Sequence, residues 1–227
     1  MLVNNYLQKS IAPNIKSIKG GEKGIKVAYG FMPQSSDIGY IWIPSWEVEL
    51  SDDEIESIFV EIKNAKGLIF DMRQNGGGDP SLAVKFAAYF TDREIYTGYE
   101  HFKTGPGIND FSDSKIYLSP TNSSNKFLKP TVVLTDRFCY SASTTFAYSV
   151  NPLNNITFIG QRTGGGSGSV ADGYLANGWQ WSLSTSEFID HLGNHLDDGF
   201  EPDIAVTFDT LITTKDEIIE RAILELQ

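Results

Sequence analysis

At 227 residues, with 41% hydrophobic and 12% aromatic side chains, the chain is long enough for one well-buried domain and short for two. Its formal charge of −11, with no basic stripe, excludes nucleic acid as the main ligand. No apolar run approaches the roughly 20 residues that a membrane-spanning helix needs, and a single cysteine, Cys139, rules out an internal disulfide.

Residues 1–24 are polar and weakly patterned, with Pro13 and the pair Gly20-Gly21. They read as a connecting arm from a missing N-terminal segment, and residues 25–227 as one α/β core. The first ten residues lack the charged start and apolar stretch of a secretory signal. Ile25–Tyr29 and Ile38–Ile43 read as strands around a turn at 33–37. Ser51-Asp-Asp-Glu54 is a capping box, and Ile55, Ile58, Phe59 and Ile62 follow at helical spacing. Gly67–Phe70 is a short buried strand that runs into Asn75-Gly-Gly-Gly78. Leu82, Ala83, Phe86, Ala87 and Phe90 mark a second helix.

Residues 94–130 read as a surface excursion with one or two strands. Val132–Thr135 is a β-branched run, broken by 136–140. From Ser141 a helix begins, with Phe146, Ala147 and Val150 on one face. Strands are expected at 156–159, 173–175, 179–183 and 204–206, with a hairpin tip within 188–198. Thr214-Lys-Asp-Glu217 is expected to cap a closing helix carrying Ile218, Ile219, Ala222, Ile223 and Leu226.

Two strand–turn–helix junctions carry the chemistry. A serine at a helix start sits over unpaired N–H groups and the positive end of the helix dipole. Ser141 can therefore be a nucleophile, or simply a helix cap, for which serine is well suited. Cys139 is a competing nucleophile or a small buried hydrophobe. The glycine run is not a P-loop, because Asp79-Pro80 follows in place of Lys-Ser/Thr, and G-x-G-x-x-G does not fit it. It is either a tight turn or one side of an oxyanion hole completed from the Ser141 turn.

The stretches Gly67–Gly78, Val132–Thr135 and Ser141-Ala-Ser143 resemble the tail-specific (C-terminal processing) serine peptidases, which include the tricorn core protease. Ile38-Gly-Tyr-Ile41, Gly160–Gly165 and Gly199–Ile204 match further landmarks in order, so the resemblance runs from about 25 to 206. It implies a Clp-protease/crotonase-like core in a single domain, hydrolysing protein or peptide substrates through an acyl-enzyme, without metal or cofactor. By position, Ser141 matches the nucleophile, the amides of Ala142 and Gly77 the oxyanion hole, and Asp197 an acidic support.

The base is where the pattern breaks. Gly166 stands where the serine–lysine branch has its lysine. His101, His191 and His195 do not match the upstream histidine of the tricorn-like branch, so the base is expected from an N-terminal segment outside this chain. The alternatives are a peptide- or ligand-binding module of the same fold and, more distantly, a crotonase-type acyl-CoA enzyme. An extracytoplasmic location is expected from the resemblance alone.

Overall fold

The apolar runs become strands of one central sheet. The structure, a computed structural model, describes residues 15–20, 25–207 and 215–227. In chain order come β1 (Ile15–Gly20), β2 (Ile25–Met32), β3 (Ser35–Trp42), α1 (Asp52–Ile62) and β4 (Gly67–Asp71). Next are α2 (Pro80–Ala87), a 3-10 turn (Ala88–Phe90), β5 (Ile95–Lys103), β6 (Phe111–Leu118), β7 (Thr131–Thr135) and α3 (Ala142–Val150). The remainder is β8 (Ile156–Gly160), β9 (Val170–Tyr174), β10 (Gln180–Ser184), β11 (Ser186–Asp190), β12 (Ile204–Ala205) and α4 (Glu217–Glu225).

The main sheet runs β1-β2-β3-β4-β7-β8-β12. Its first two pairings are antiparallel and the other four parallel. Every residue of β4 and β7 is buried, as expected for parallel strands covered on both faces. Alternation along the strands divides the core in two. Leu68, Phe70 and Val133 face α1, α2 and α3, whose contributions include Phe59, Phe86 and Phe146. Ile69, Val132 and Leu134 face the other way, onto Ile218, Ile219 and Ala222 of α4. Phe70 stacks on Phe146 with ring centroids 4.5 Å apart, fixing α3 over β4.

Residues 15–20, expected as part of a connecting arm, instead form the edge strand β1, paired with β2 from Ile15↔Gly30 to Gly20↔Ile25. Ladder hydrogen bonds to a neighbouring strand supply order that local composition does not announce. The closing helix is capped by Asp216, whose side chain accepts from the Ile218 and Ile219 amides; Thr214 lies outside the described residues. The hairpin tip within 188–198 forms, with Asp190 N donating to Asn194 O and Leu196 N to Phe188 O. Its first strand, β11, joins β5 and β6 in a separate three-stranded sheet. The pairing Asp71↔Leu134 puts the C-terminal ends of β4 and β7 side by side. Both candidate turns leave the sheet there, where open α/β sheets place their ligands.

Candidate active site

Ser141 stands at the N-cap position of α3, but its side chain does not cap the helix. Its backbone sits at φ 56° and ψ −116°, and its side chain makes no capping hydrogen bond. A positive φ is costly for a residue with a Cβ and persists only where surrounding contacts impose it. Those contacts are visible. Ser141 N donates to Gly165 O at 3.0 Å, and Ser141 O accepts from the amides of Thr144 and Thr145. Thr144 Oγ1 ties the same Gly165 carbonyl to the helix at 2.7 Å. Ala142 follows as the first helical residue, so its N–H has no partner further back in the helix.

The glycine turn packs directly against this serine. A Cβ placed on Gly77 would lie 2.7 Å from Ser141 Cβ and 3.3 Å from Ala142 N, which only a glycine avoids. The two turns are also hydrogen-bonded together. Asn75 O accepts from Tyr140 N (3.1 Å) and from Ser143 Oγ (2.8 Å). Asp136, at the end of β7, accepts from Gln74 N and Phe138 N, each at 3.0 Å. Gly77 N–H itself donates to Asn75 Oδ1 at 3.0 Å.

Competing nucleophiles are committed elsewhere. Ser143 is fully buried, and its hydroxyl also accepts from Trp46 Nε1 at 3.0 Å. Cys139 is fully buried with Sγ donating to Met72 O; burial, reinforced by Asp136, pushes its thiol well above the ordinary range and keeps it protonated.

Asp197 sits behind the Gly165 loop. Its Oδ1 accepts from Ser167 N and Oγ, and its carbonyl from Gly166 N, so it braces the loop that holds Ser141 N. Gly166 has φ +68°, and a Cβ there would fall 2.2 Å from Tyr140 Cζ. The tip of the Tyr140 ring thus lies where a side chain at 166 would begin. His101 pairs with Asp113 across β5 and β6, and His195 with Glu187. The Glu187 hydrogen bond raises the His195 pKa. His191 lies on the same hairpin as His195, which is joined to β5 and, through Phe188 N, to Ser167 Oγ.

Sequence reasoning missed Arg73. It is buried, with Nε and Nη2 on Asp71 (2.9 and 2.6 Å) and Nη1 on both oxygens of Asp216 (3.0 and 2.8 Å). Burial opposes its charge, but Asp71 and Asp216 outweigh that and raise its pKa. A buried Asp-Met-Arg step beside the glycine run was the available signal. Beside the turn lies a cleft of about 820 Å³, lined by Trp46, Val48, Leu50, Gly78, Asp79 and Leu82 among others.

The sequence profile of peptidase family S41 matches residues 37–206. The carboxy-terminal processing protease CtpA of Bacillus subtilis (strain 168) is 29% identical over 150 residues, which is 66% of this chain and 30% of that protein. The chain thus matches under a third of that curated relative's length. The crystal structure of a candidate peptidase from Parabacteroides merdae ATCC 43184 is 35% identical, with a TM-score of 0.86 over 99% of this chain and 69% of that one. The tricorn protease shares the fold at 21% identity, with a TM-score of 0.53 over 84% of this chain and 18% of that one.

Proposed function

Because the chain belongs to peptidase family S41, a family of serine peptidases, we propose that Ser141 is the nucleophile of an endopeptidase acting on protein or peptide chains. The observation that carries this reading is the strained backbone of Ser141, whose side chain makes no capping bond, pressed against the glycine turn at the start of α3.

Ser141 Oγ attacks the scissile carbonyl carbon while a base takes its proton, and the carbonyl π pair moves onto oxygen. The Ala142 amide and one amide of the glycine turn, for which Gly77 was the sequence candidate, receive that oxyanion at the positive end of the α3 dipole. Collapse breaks the C–N bond. The proton passes from the base to the leaving amine, and an acyl-serine remains for water to hydrolyse. The adjoining cleft gives substrate residues beside the scissile bond a place to lie. Asp197 supports the site through the Gly165 loop.

The base comes from outside these residues, in a segment N-terminal to them. Two observations support this: Gly166 and the Tyr140 ring occupy the lysine position, and His101 and His195 are paired on the β5–β6–β11 side. An extracytoplasmic location is proposed on family grounds. Among the described residues no helix is long and apolar enough to cross a membrane, which leaves β-barrels unaddressed.

A fluorophosphonate probe applied to the longer protein tests the nucleophile. Labelling and hydrolysis should both vanish in Ser141→Ala and survive in Cys139→Ala. Labelling that persists in Ser141→Ala refutes the assignment. Peptide binding without any Ser141-dependent cleavage would make the domain a binding module.

A further inference from the structure

Trp179, Trp181 and Leu183 alternate with Gln180 and Ser182, the pattern of a strand with one face to be covered. The register Trp181↔Gly173 and Leu183↔Ala171 places Gly173 and Ala171 of β9 on that same face. Leu175 N donates to Trp179 O at 2.7 Å and carries the face on to the turn. Gly173 lets the Trp181 indole lie across the neighbouring strand, since a Cβ there would fall 2.4 Å from Cζ2. Among the described residues no third strand joins this pair. The apolar face is open to solvent: Trp179 is 70% exposed, Leu183 62% and Leu175 50%. Two tryptophans and two leucines on one open surface mark an interaction site, unlike apolar residues scattered singly.

The hairpin is rooted beside the nucleophile. β9 starts at Val170, four residues after Gly166, and the Gly165 carbonyl holds Ser141 N. Ser169 O accepts from Thr185 N, and Ser169 N donates to Ser186 Oγ, which fixes the base of the hairpin to β11. Half-exposed Tyr140, next to Ser141, lays its ring tip against Gly166. Apolar surface therefore stands at both ends of the short segment from Gly166 to Ala171, which spans at most about 17 Å. A polypeptide held at Ser141 meets the hairpin within roughly five to ten residues of the scissile bond. Charge argues against a second copy as the occupant. Residues 170–184 carry one formal charge, Asp172, in a chain of −11, so self-association through them brings two strongly anionic bodies together.

We propose that this face of the β9–β10 hairpin captures unfolded polypeptide substrate. An extended segment with leucine and aromatic side chains docks on Leu175, Trp179, Trp181 and Leu183, while the chain beside it enters the site at Ser141. This rests on the peptidase reading and names the substrate class. Folded proteins keep such side chains mostly inside, so the surface selects for unfolded chains. Burial against indole rings depends on apolar area and not on one sequence, so many segments fit.

Fluorescein-labelled casein, an unstructured protein, tests the surface by anisotropy against the 227 residues carrying Ser141→Ala. Trp179→Ser combined with Leu183→Ser should weaken binding about tenfold or more. The thermal midpoint should not move, since both side chains are exposed. Leu224→Ser, also exposed but on α4, should leave binding unchanged. In the longer protein the double change should raise KM for casein by a similar factor with kcat unchanged. A small fluorophosphonate, which does not reach the hairpin, should still label Ser141 at the original rate. Casein binding that is absent, or that survives the double change, overturns the proposal. A 227-residue protein that sediments as a dimer, and as a monomer after the double change, makes a second copy the occupant and overturns it too. So does a Trp179 that iodide quenches in the 227 residues but not in the longer protein, whose remaining chain then covers the face. Casein bound through the hairpin with no labelling of Ser141 keeps the surface and refutes the peptidase reading instead.

Discussion

Adjacent glycines of the same turn carry different demands. Gly77 has φ +110° and touches Ser141, whereas a Cβ on Gly76 would meet nothing within 4 Å. Gly77→Ala should displace the turn and cost about 10²–10³ in turnover, the scale of a lost oxyanion donor, as read by steady-state kinetics. Gly76→Ala should leave unfolding free energy within about 0.5 kcal/mol. A Gly77→Ala protein that folds normally with full turnover would make the turn a passive connection. Titration of buried groups gives a second test. Burial raises Cys139 and, with Asp71, Tyr40 well above their ordinary ranges; burial raises Tyr89 and Tyr148 to about 12. A raised folded-state pKa contributes stability that is complete below the unfolded-state value and is lost as pH rises through the folded one. Urea unfolding should therefore show stability falling from roughly pH 9, where an unfolded thiol ionises, and more steeply above about 10, where unfolded tyrosines do. Cys139→Ala should remove the first part of that fall.

At the scale of elements, the Asp71–Arg73–Asp216 network joins α4 to the strand that feeds the glycine turn. Tyr40 OH donates to Asp71 Oδ2 at 2.9 Å and completes it. Asp216→Ala would leave Arg73 half-paired in the core and uncap α4 in one step. A loss of about 3–5 kcal/mol is expected from chemical denaturation, because the remaining buried charge keeps its desolvation cost. The Lys85–Asp52 pair makes the contrast: both side chains are at least half exposed, so Lys85→Ala should change stability by about 0–1 kcal/mol. Equal losses at the two sites would show that the buried network does not hold α4 to the sheet.

For the whole molecule, a serine hydroxyl is a weak nucleophile at neutral pH without a base. The 227 residues alone should fold yet cleave casein and peptides with free carboxyl ends only in trace amounts, as triad-deleted serine proteases do. If the base comes from the proposed N-terminal segment, adding that segment should raise hydrolysis by orders of magnitude, and replacing a histidine that serves as its base should remove the gain. Robust Ser141-dependent cleavage by the 227 residues alone would place the base within them and direct attention to His191 and His195.

Legible in the sequence were the α/β class, the buried strands at 67–70 and 132–135, the Ser51 capping box and the junctions after β4 and β7. Each is a local pattern: apolar periodicity, a cap at fixed spacing, glycines after a strand. Tertiary structure alone decided the rest. Whether Ser141 caps its helix or strains above it depends on Gly165, which approaches from another loop. Arg73 and Asp216 lie 143 residues apart and meet only because α4 packs across the sheet. The strand at 15–20 exists through its pairing with β2. How the peptides of the glycine turn are oriented is likewise unreadable from Asn75-Gly-Gly-Gly78. Glycine permits several peptide orientations at similar energy, and the hydrogen bonds from Trp46 N to Gly77 O, from Asn75 Nδ2 to Ile43 O and from Gly77 N to Asn75 Oδ1 select one.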